Sequence, residues 1–326
     1  MQMRKLGNTE FQISPIGLGA WAMGGGGWTF GWGPQDDNES IAAIHRALEL
    51  GINWVDTAAV YGLGRSEQVV AKALAEIPSS NRPLVFTKCS LIWDERGNIS
   101  HNLEPVSLRK EAESSLRRLQ VETIDLYQIH WPNFTGGESP SGGIEAAWET
   151  LSEMRQTGKV RYIGVSNFNT RELERVGRIT PVSSLQPPYS MLRRGVEDEI
   201  LPYCGAHSIG VIVYSPMQSG LLSGTMTRER IAALPKDDWR LTKAPEFQEP
   251  RLSRNLRLVE QLRTIGKRHG CSPGEVAIAW TLRRPEVTAA IVGARRPGQV
   301  EGFIGAADLQ LSKEELDEIE RWLSAS

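Results

Sequence analysis

The sequence predicts one α/β domain over residues 1–326, a closed (β/α)8 TIM barrel with a short N-terminal β-hairpin and extra helices before strand 8 and at the C-terminus. Three observations predict it. Eight short β-rich runs recur along the chain, and amphipathic runs with helical spacing separate them. Such alternation implies parallel strands joined by crossover helices. An open dinucleotide-binding sheet would instead need a Gly-rich turn running straight into a helix after its first strand. The Gly cluster at 24–27 continues as WTFGWG, which reads as a flexible loop carrying aromatic residues.

The strand candidates are residues 16–18, 52–56, 84–87, 123–129, 162–165, 184–186, 210–214 and 289–292. The first helix candidate, 40–50, has a polar start and stops at Gly51, the expected punctuation at its two ends. Further helical runs occupy 66–77, 104–119, 144–157, 170–179, 196–207, 255–269, 272–284 and 297–307. The last, 312–323, opens SKEE, where Ser312 answered by Glu315 is a capping-box pattern. The stretch 215–254 lacks regularity and is rich in Pro, Arg and Asp; connections of that length are usually functional or partly helical.

Composition narrows the function. Thirty-seven Lys and Arg against 39 Asp and Glu leave a formal charge of −2, unlike the basic footprint of a nucleic-acid binder. Cys89, Cys204 and Cys271 have no CxxC spacing and no His at ligand distance, so neither a disulfide framework nor a metal site is expected. Cys204 and Cys271 are read as structural and helical, and Cys89 as a small packed residue. No run of about 18 apolar residues would span a membrane, and the N-terminus MQMRKLGNTEFQISPIG has no apolar leader core. A cytoplasmic monomer without membrane or nucleic-acid partners is the default expectation.

Catalytic groups of a barrel sit where its strands end, because all eight C-terminal ends open on one face. The second strand ends in Asp56, with Tyr61 five residues on; the third ends in Lys88; the fourth ends in His130. The fifth ends in Ser166 and Asn167, the sixth in Gln186, and the seventh in Tyr214–Ser215–Pro216. Singly, each has an ordinary structural explanation. Together they have a chemical one. A free phenol, with a pKa of about 10, is a poor acid near neutrality. A nearby ammonium stabilises phenolate, and a carboxylate keeps that ammonium charged and in place. A histidine can orient a carbonyl oxygen or share the proton transfer. Hydride addition to a carbonyl creates an alkoxide that such a relay stabilises and protonates.

The chain resembles the aldo-keto reductases. The matching segments are GLGAW at 17–21, GINWVDTAAVYG at 51–62, LVFTK at 84–88, IDLYQIHWP at 124–132, GKVRYIGVSNF at 158–168, YSPM at 214–217 and IVGARRPGQVEG at 291–302. They run in family order over nearly the whole chain. The resemblance implies NADP(H) as cofactor and the reduction of aldehydes or ketones, a small-molecule carbonyl substrate. It places the family tetrad on Asp56, Tyr61, Lys88 and His130, with Tyr61 as proton donor. For the cofactor it implies Trp21 and Asp56, and Ser166, Asn167 and Gln186 at the nicotinamide carboxamide. Tyr214 would stack on the ring, and Ser215, Pro216, Met217, Gly220 and Leu222 would follow the pyrophosphate and ribose. Gly293, Ala294, Arg295, Arg296 and Gln299 would hold the adenosine and its 2′-phosphate; two Arg forks beside a helix start suit that anion. Where many relatives carry an Asn at the adenine edge, this chain has Phe303, which would pack on adenine or join the barrel wall.

Trp21, Trp28, Trp32, Trp93 and Trp131 fall in loops on the same face, and an aromatic cleft there would favour flat or apolar carbonyl compounds. The substrate-lining expectation falls on Trp28, Trp93 and Trp131. The alternative is a cofactor-sensing regulatory subunit, since the barrel also resembles the β-subunits of voltage-gated potassium channels.

Overall fold

The structure, a computed structural model, describes residues 1–134, 143–235 and 238–324. β1 (Arg4–Lys5) and β2 (Gln12–Ile13) form the expected N-terminal hairpin. A closed parallel barrel follows, made of β3 (Ile16–Gly19), β4 (Trp54–Asp56), β5 (Leu84–Cys89), β8 (Ile124–Ile129), β9 (Val160–Ser166), β10 (Ser184–Gln186), β11 (Gly210–Tyr214) and β12 (Val287–Gly293). The short antiparallel pair β6 (Leu91–Trp93) and β7 (Ile99–His101) interrupts it after β5. The barrel closes between its last and first strands, with Ala290 opposite Ile16 and Gly293 opposite Gly19.

The surrounding helices are α1 (Asp37–Glu49), α2 (Arg65–Ala75), α3 (Pro105–Leu119), α4 (Ile144–Gln156), α5 (Thr170–Gly177), α6 (Ile200–Ala206), α7 (Arg228–Ala232), α8 (Trp239–Thr242), α9 (Arg251–His269), α10 (Pro273–Leu282), α11 (Pro297–Glu301) and α12 (Lys313–Ser324). α9 and α10 are the extra helices before the eighth barrel strand, and α12 is the C-terminal one. Local chemistry sets several of the ends. Asp36 caps α1 by accepting from the amides of Asn38 and Glu39, so that helix starts earlier than periodicity suggests. Ser312 and Glu315 form the expected reciprocal pair at α12.

Three sequence expectations are corrected. The run 196–207 is helical only over α6. The run 297–307 breaks into α11 and a separate 3-10 turn, Ile304–Ala307. Cys271 lies between α9 and α10, flanked by the left-handed cap Gly270 and the N-cap Ser272. The irregular stretch 215–254 holds α7, α8 and two 3-10 turns.

Strand pleating divides the barrel wall, because alternate side chains face opposite sides. Outward residues such as Val55, Val85, Ile129 and Val165 join the main core beneath the helices. Inward residues near the N-terminal end, Trp54, Phe86 and Leu126, pack with Leu6, Phe11 and Ile13 of the hairpin region into a separate cluster that plugs the barrel. A Cβ on Gly17 would stand 2.2 Å from the Trp54 indole, so this strand position must lack a side chain for the tryptophan to fit.

Candidate active site

One pleat further along the same strands, the inward face turns polar. Asp56 ends β4 and Lys88 lies near the end of β5, and both side chains are shut off from solvent. Lys88 Nζ donates to Asp56 Oδ1 at 2.6 Å, to the Thr57 carbonyl at 2.8 Å and to Tyr61 Oη at 3.4 Å. The ammonium has three donors, and all three are used. Tyr61 sits in the turn after β4. His130 follows β8; its backbone amide is held by the Cys89 carbonyl at 3.1 Å, and its imidazole meets the Tyr61 ring edge-on at 5.8 Å. The structure thus brings together the four side chains singled out in the sequence.

Burial dominates their protonation. It pushes the Asp56 carboxyl up and the Lys88 ammonium down, while their mutual attraction opposes both shifts and favours the ion pair. The Tyr61 phenol is pushed well above its ordinary value, first by burial and then by the Asp56 charge. The nearby Lys88 ammonium alone would lower it, but in the buried site desolvation prevails. The phenol therefore holds its proton throughout the neutral range. His130 is pushed well below its usual value by burial and by Lys88. It is a neutral imidazole at pH 7, suited to orienting a carbonyl rather than to giving up a charge-bearing proton.

The neighbouring strand ends are linked to this group. Gln186 Nε2 donates to Asp56 Oδ2 at 2.8 Å. The Ser166 hydroxyl donates to the Gln186 carbonyl at 2.8 Å. Asn167, at a left-handed φ of 63°, donates to the His130 carbonyl and to Ser166 Oγ, and accepts from the Tyr214 hydroxyl at 2.8 Å. Burial pushes the Tyr214 phenol up to about 12. Beyond Tyr214, the loop takes left-handed φ at Ser215 (57°), Gln218 (47°), Ser219 (56°) and Gly220 (89°). Such conformations are costly outside glycine. Among the described residues, the Ser219 and Gly220 amides donate to no backbone carbonyl. Pro216 and Met217 lie within this loop, with Met217 sulfur close to Gly274 at the start of α10. Leu222 is buried and closes the turn on the Met217 carbonyl.

These donors fit a nicotinamide nucleotide. A carboxylate pins the Gln186 nitrogen, which leaves its oxygen for the amino group of a carboxamide. A run of left-handed residues with free N–H groups makes an anion cradle of the kind that takes a pyrophosphate.

Gly293, the last residue of β12, is exposed, and Ala294 after it is buried. The Arg295 amide donates to Gln299 Oε1 at 2.7 Å. The two arginines are not equivalent. The Arg295 guanidinium donates to Gln35 Oε1 and to the carbonyls of Trp32 and Pro34, and the Gln35 amide donates back to the Arg295 carbonyl. Arg296 is exposed and makes no side-chain hydrogen bond among the described residues. Phe303 is buried in the main core, so it belongs to the barrel wall.

The aromatic residues divide in a similar way. Trp21 stacks on Tyr61 at 5.7 Å and on Trp239 at 6.1 Å, and it meets Trp28 and Trp32 in tilted contacts. Trp28 also lies against Tyr61, and Trp131 packs at the edge of the cluster around Tyr61 and Leu91. Trp93 does not join them: it lies under the Arg118 guanidinium at 5.7 Å. Trp239 and Phe30 were missed in the sequence reading. An aromatic inside the irregular stretch 215–254 is the signal that would have found Trp239. Cys89 alternates outward from Lys88 into the helix-facing core.

Comparison with known proteins gives the family. Residues 15–323 match the aldo/keto reductase family model. The chain is 37% identical to aldo-keto reductase YhdN of Bacillus subtilis, over 98% of this chain and 92% of that one. It is 33% identical to the NADH-specific methylglyoxal reductase of Escherichia coli, over 96% and 95%. Its fold matches the glycerol dehydrogenase AKR11B4 of Gluconobacter oxydans with a TM-score of 0.88 at 37% identity, over 99% of this chain and 95% of that one. Fold and relatives together define an oxidoreductase of the (β/α)8 class that acts on carbonyl compounds. The chain belongs to the aldo-keto reductase family.

Proposed function

We propose that this protein is an NADP(H)-dependent reductase of aldehydes or ketones, running in reverse as an alcohol dehydrogenase, with Tyr61 as proton donor. The observation that carries the proposal is the Lys88 ammonium, which touches both Asp56 Oδ1 at 2.6 Å and Tyr61 Oη at 3.4 Å. A bound reduced nicotinamide supplies the hydride. Gln186, Ser166 and Asn167 would hold its carboxamide, and Tyr214 would offer its ring as a platform. The neutral His130 and the protonated Tyr61 both donate towards the substrate carbonyl oxygen. As charge develops on that oxygen, the Tyr61 proton moves to it. Lys88 then stabilises the phenolate left behind, and Asp56 keeps Lys88 charged. Trp21, stacked on Tyr61, and Trp28, tilted against it, wall the approach to Tyr61 and exclude water, which favours flat or apolar substrates.

For the cofactor's 2′-phosphate, Arg296 is the free guanidinium, while Arg295 braces residues 32–35. The Escherichia coli relative is NADH-specific by name, so the two cofactors are compared side by side. The test is loss of reduced-nicotinamide absorbance with an aromatic aldehyde, NADPH and NADH in parallel, and Tyr61→Phe as control. Turnover with NADPH that collapses in Tyr61→Phe is expected. Equal turnover with NADH removes the 2′-phosphate role from Arg296. Tight NADPH binding without turnover favours the regulatory reading, and binding of neither nucleotide ends the proposal.

A further inference from the structure

The interior polar layer contains a buried side-chain amide that the mechanism above does not use. Gln128 faces inward on β8, directly opposite Lys88 on one side and Gly164 on the other. It is completely buried. Among the described residues it is the one buried side-chain amide whose oxygen and nitrogen both lack a hydrogen bond. A buried amide left unpaired costs about 1–3 kcal/mol, so its place beneath a catalytic face calls for a reason. Its room is made by Gly164: a Cβ there would stand 3.3 Å from Gln128 Cγ and 2.2 Å from Ser184 Oγ. Its register partner Lys88 donates to Asp56 Oδ1 at 2.6 Å, so the unpaired amide lies beside the buried ion pair, where it favours the ionised carboxylate. The outer torsion of a glutamine is broad, so the amide is free to turn towards that carboxylate.

We propose that Gln128 is a positioning residue: its amide steadies the Asp56 carboxylate from the barrel interior and, through it, the charge of Lys88 beside Tyr61. Two amides then serve one carboxylate. Gln186 reaches Asp56 Oδ2 from the strand that also faces the carboxamide site, and Gln128 comes from the strand beside Lys88. When a cofactor draws on Gln186, Gln128 keeps the carboxylate from losing its support. The charged and titratable groups around this centre are Asp56 on β4, Lys88 on β5, Tyr61 after β4, His130 after β8 and Tyr214 on β11. Glu67 on α2 acts on Lys88 from behind the strand and is itself paired with Arg118 on α3.

The inference rests on the reductase reading for its kinetic arm only, and its first readout needs no turnover. Carboxyl-carbon NMR of aspartate-labelled protein, with Asp56→Asn to assign the signal, follows the Asp56 titration directly. Gln128→Met keeps the volume and removes the amide. Gln128→Glu keeps the shape and places a second carboxyl beside the first. In both variants the Asp56 midpoint is expected to rise by about one pH unit or more, a tenfold change in its ionisation ratio. In turnover, kcat for reduction is expected to fall about tenfold with KM for the carbonyl little changed. An Asp56 midpoint unmoved in whichever variant keeps the native fold overturns the proposal. A wild-type protein without turnover would remove the reductase reading and leave the titration to decide this one.

Discussion

On β4, β5 and β8 the inward residue nearer the N-terminal end is Trp54, Phe86 or Leu126, and two residues later the same strand presents Asp56, Lys88 or Gln128. The two halves of the barrel interior are one pleat apart, yet their physics differ. The lower half is an apolar plug completed by Leu6, Phe11 and Ile13. Each such side chain contributes about 1.5–3 kcal/mol by burial. The upper half buries an ion pair and two amides, which costs solvation and contributes stability only while every partner is in place. The lower half holds the barrel shut, and the upper half draws on that rigidity to keep costly groups in register.

The sharpest way to break this division is Lys88, which belongs to both ledgers of the upper half. Lys88→Met leaves a buried carboxylate unpaired, so a loss of about 3–5 kcal/mol in stability is expected together with loss of activity; urea melts and turnover on one preparation check it. Tyr61→Phe should separate the two effects. It removes one hydroxyl, and kcat is expected to fall about 10³-fold with the melting temperature held within a few degrees. Trp54→Ala is its mirror image. It should cost about 3–5 kcal/mol in denaturant melts, while the folded fraction keeps its kcat. A Trp54 variant that loses kcat without losing stability would show that the halves are not separable.

Two smaller effects sharpen the contrast through pH. Because Tyr61 is shifted up and His130 down, neither changes charge near neutrality. Reduction should therefore be flat from about pH 6 to 8, and alcohol oxidation, which needs the phenolate, should rise on the alkaline side. Outside the barrel interior, Glu111 on α3 accepts from the Ser90 amide at 2.9 Å, and burial raises its carboxyl to about 7 from an ordinary 4.5. The folded protein then holds this proton more tightly than the unfolded chain. Stability is fully present below about pH 4.5 and declines as pH climbs towards 7, by up to about 3 kcal/mol. Glu111→Gln should flatten that slope, as read from thermal melts at pH 5.5 and 8.5. The smallest expected effect is Arg296→Ala, a rise of about tenfold in KM for NADPH with KM for NADH unchanged.

Much of this was legible in the sequence because short β-rich runs and terminal polar residues are local signals. All eight barrel strands fall within the runs read from alternation, or within a few residues of them, and Asp56, Lys88 and His130 were located by strand ends alone. What escaped depends on tertiary context. The β6–β7 hairpin turns at Asp94–Gly97, where the Asp94 carboxylate accepts from the Arg96 and Asn98 amides; an Asp-to-Gly spacing between two apolar runs was its signal. That hairpin carries Trp93 to Arg118 rather than to Tyr61. The unequal roles of Arg295 and Arg296 could not be read from adjacency. They depend on Gln35, 260 residues away in the chain. Gln128 looked like any polar residue in YQIH, and only the register opposite Lys88 and Gly164 gives it meaning.

The closure of β12 on β3 has a consequence for the life of the chain on the ribosome. β3 is made first among the barrel strands, but its partner ends at Gly293. Until that residue emerges, β3 presents an unpaired edge, the kind of surface that invites pairing with another chain. Loop closure over so long a separation is also slow. Translation speed over the last part of the chain, and a chaperone able to shield one open edge, therefore bear on how much of the chain reaches the closed barrel.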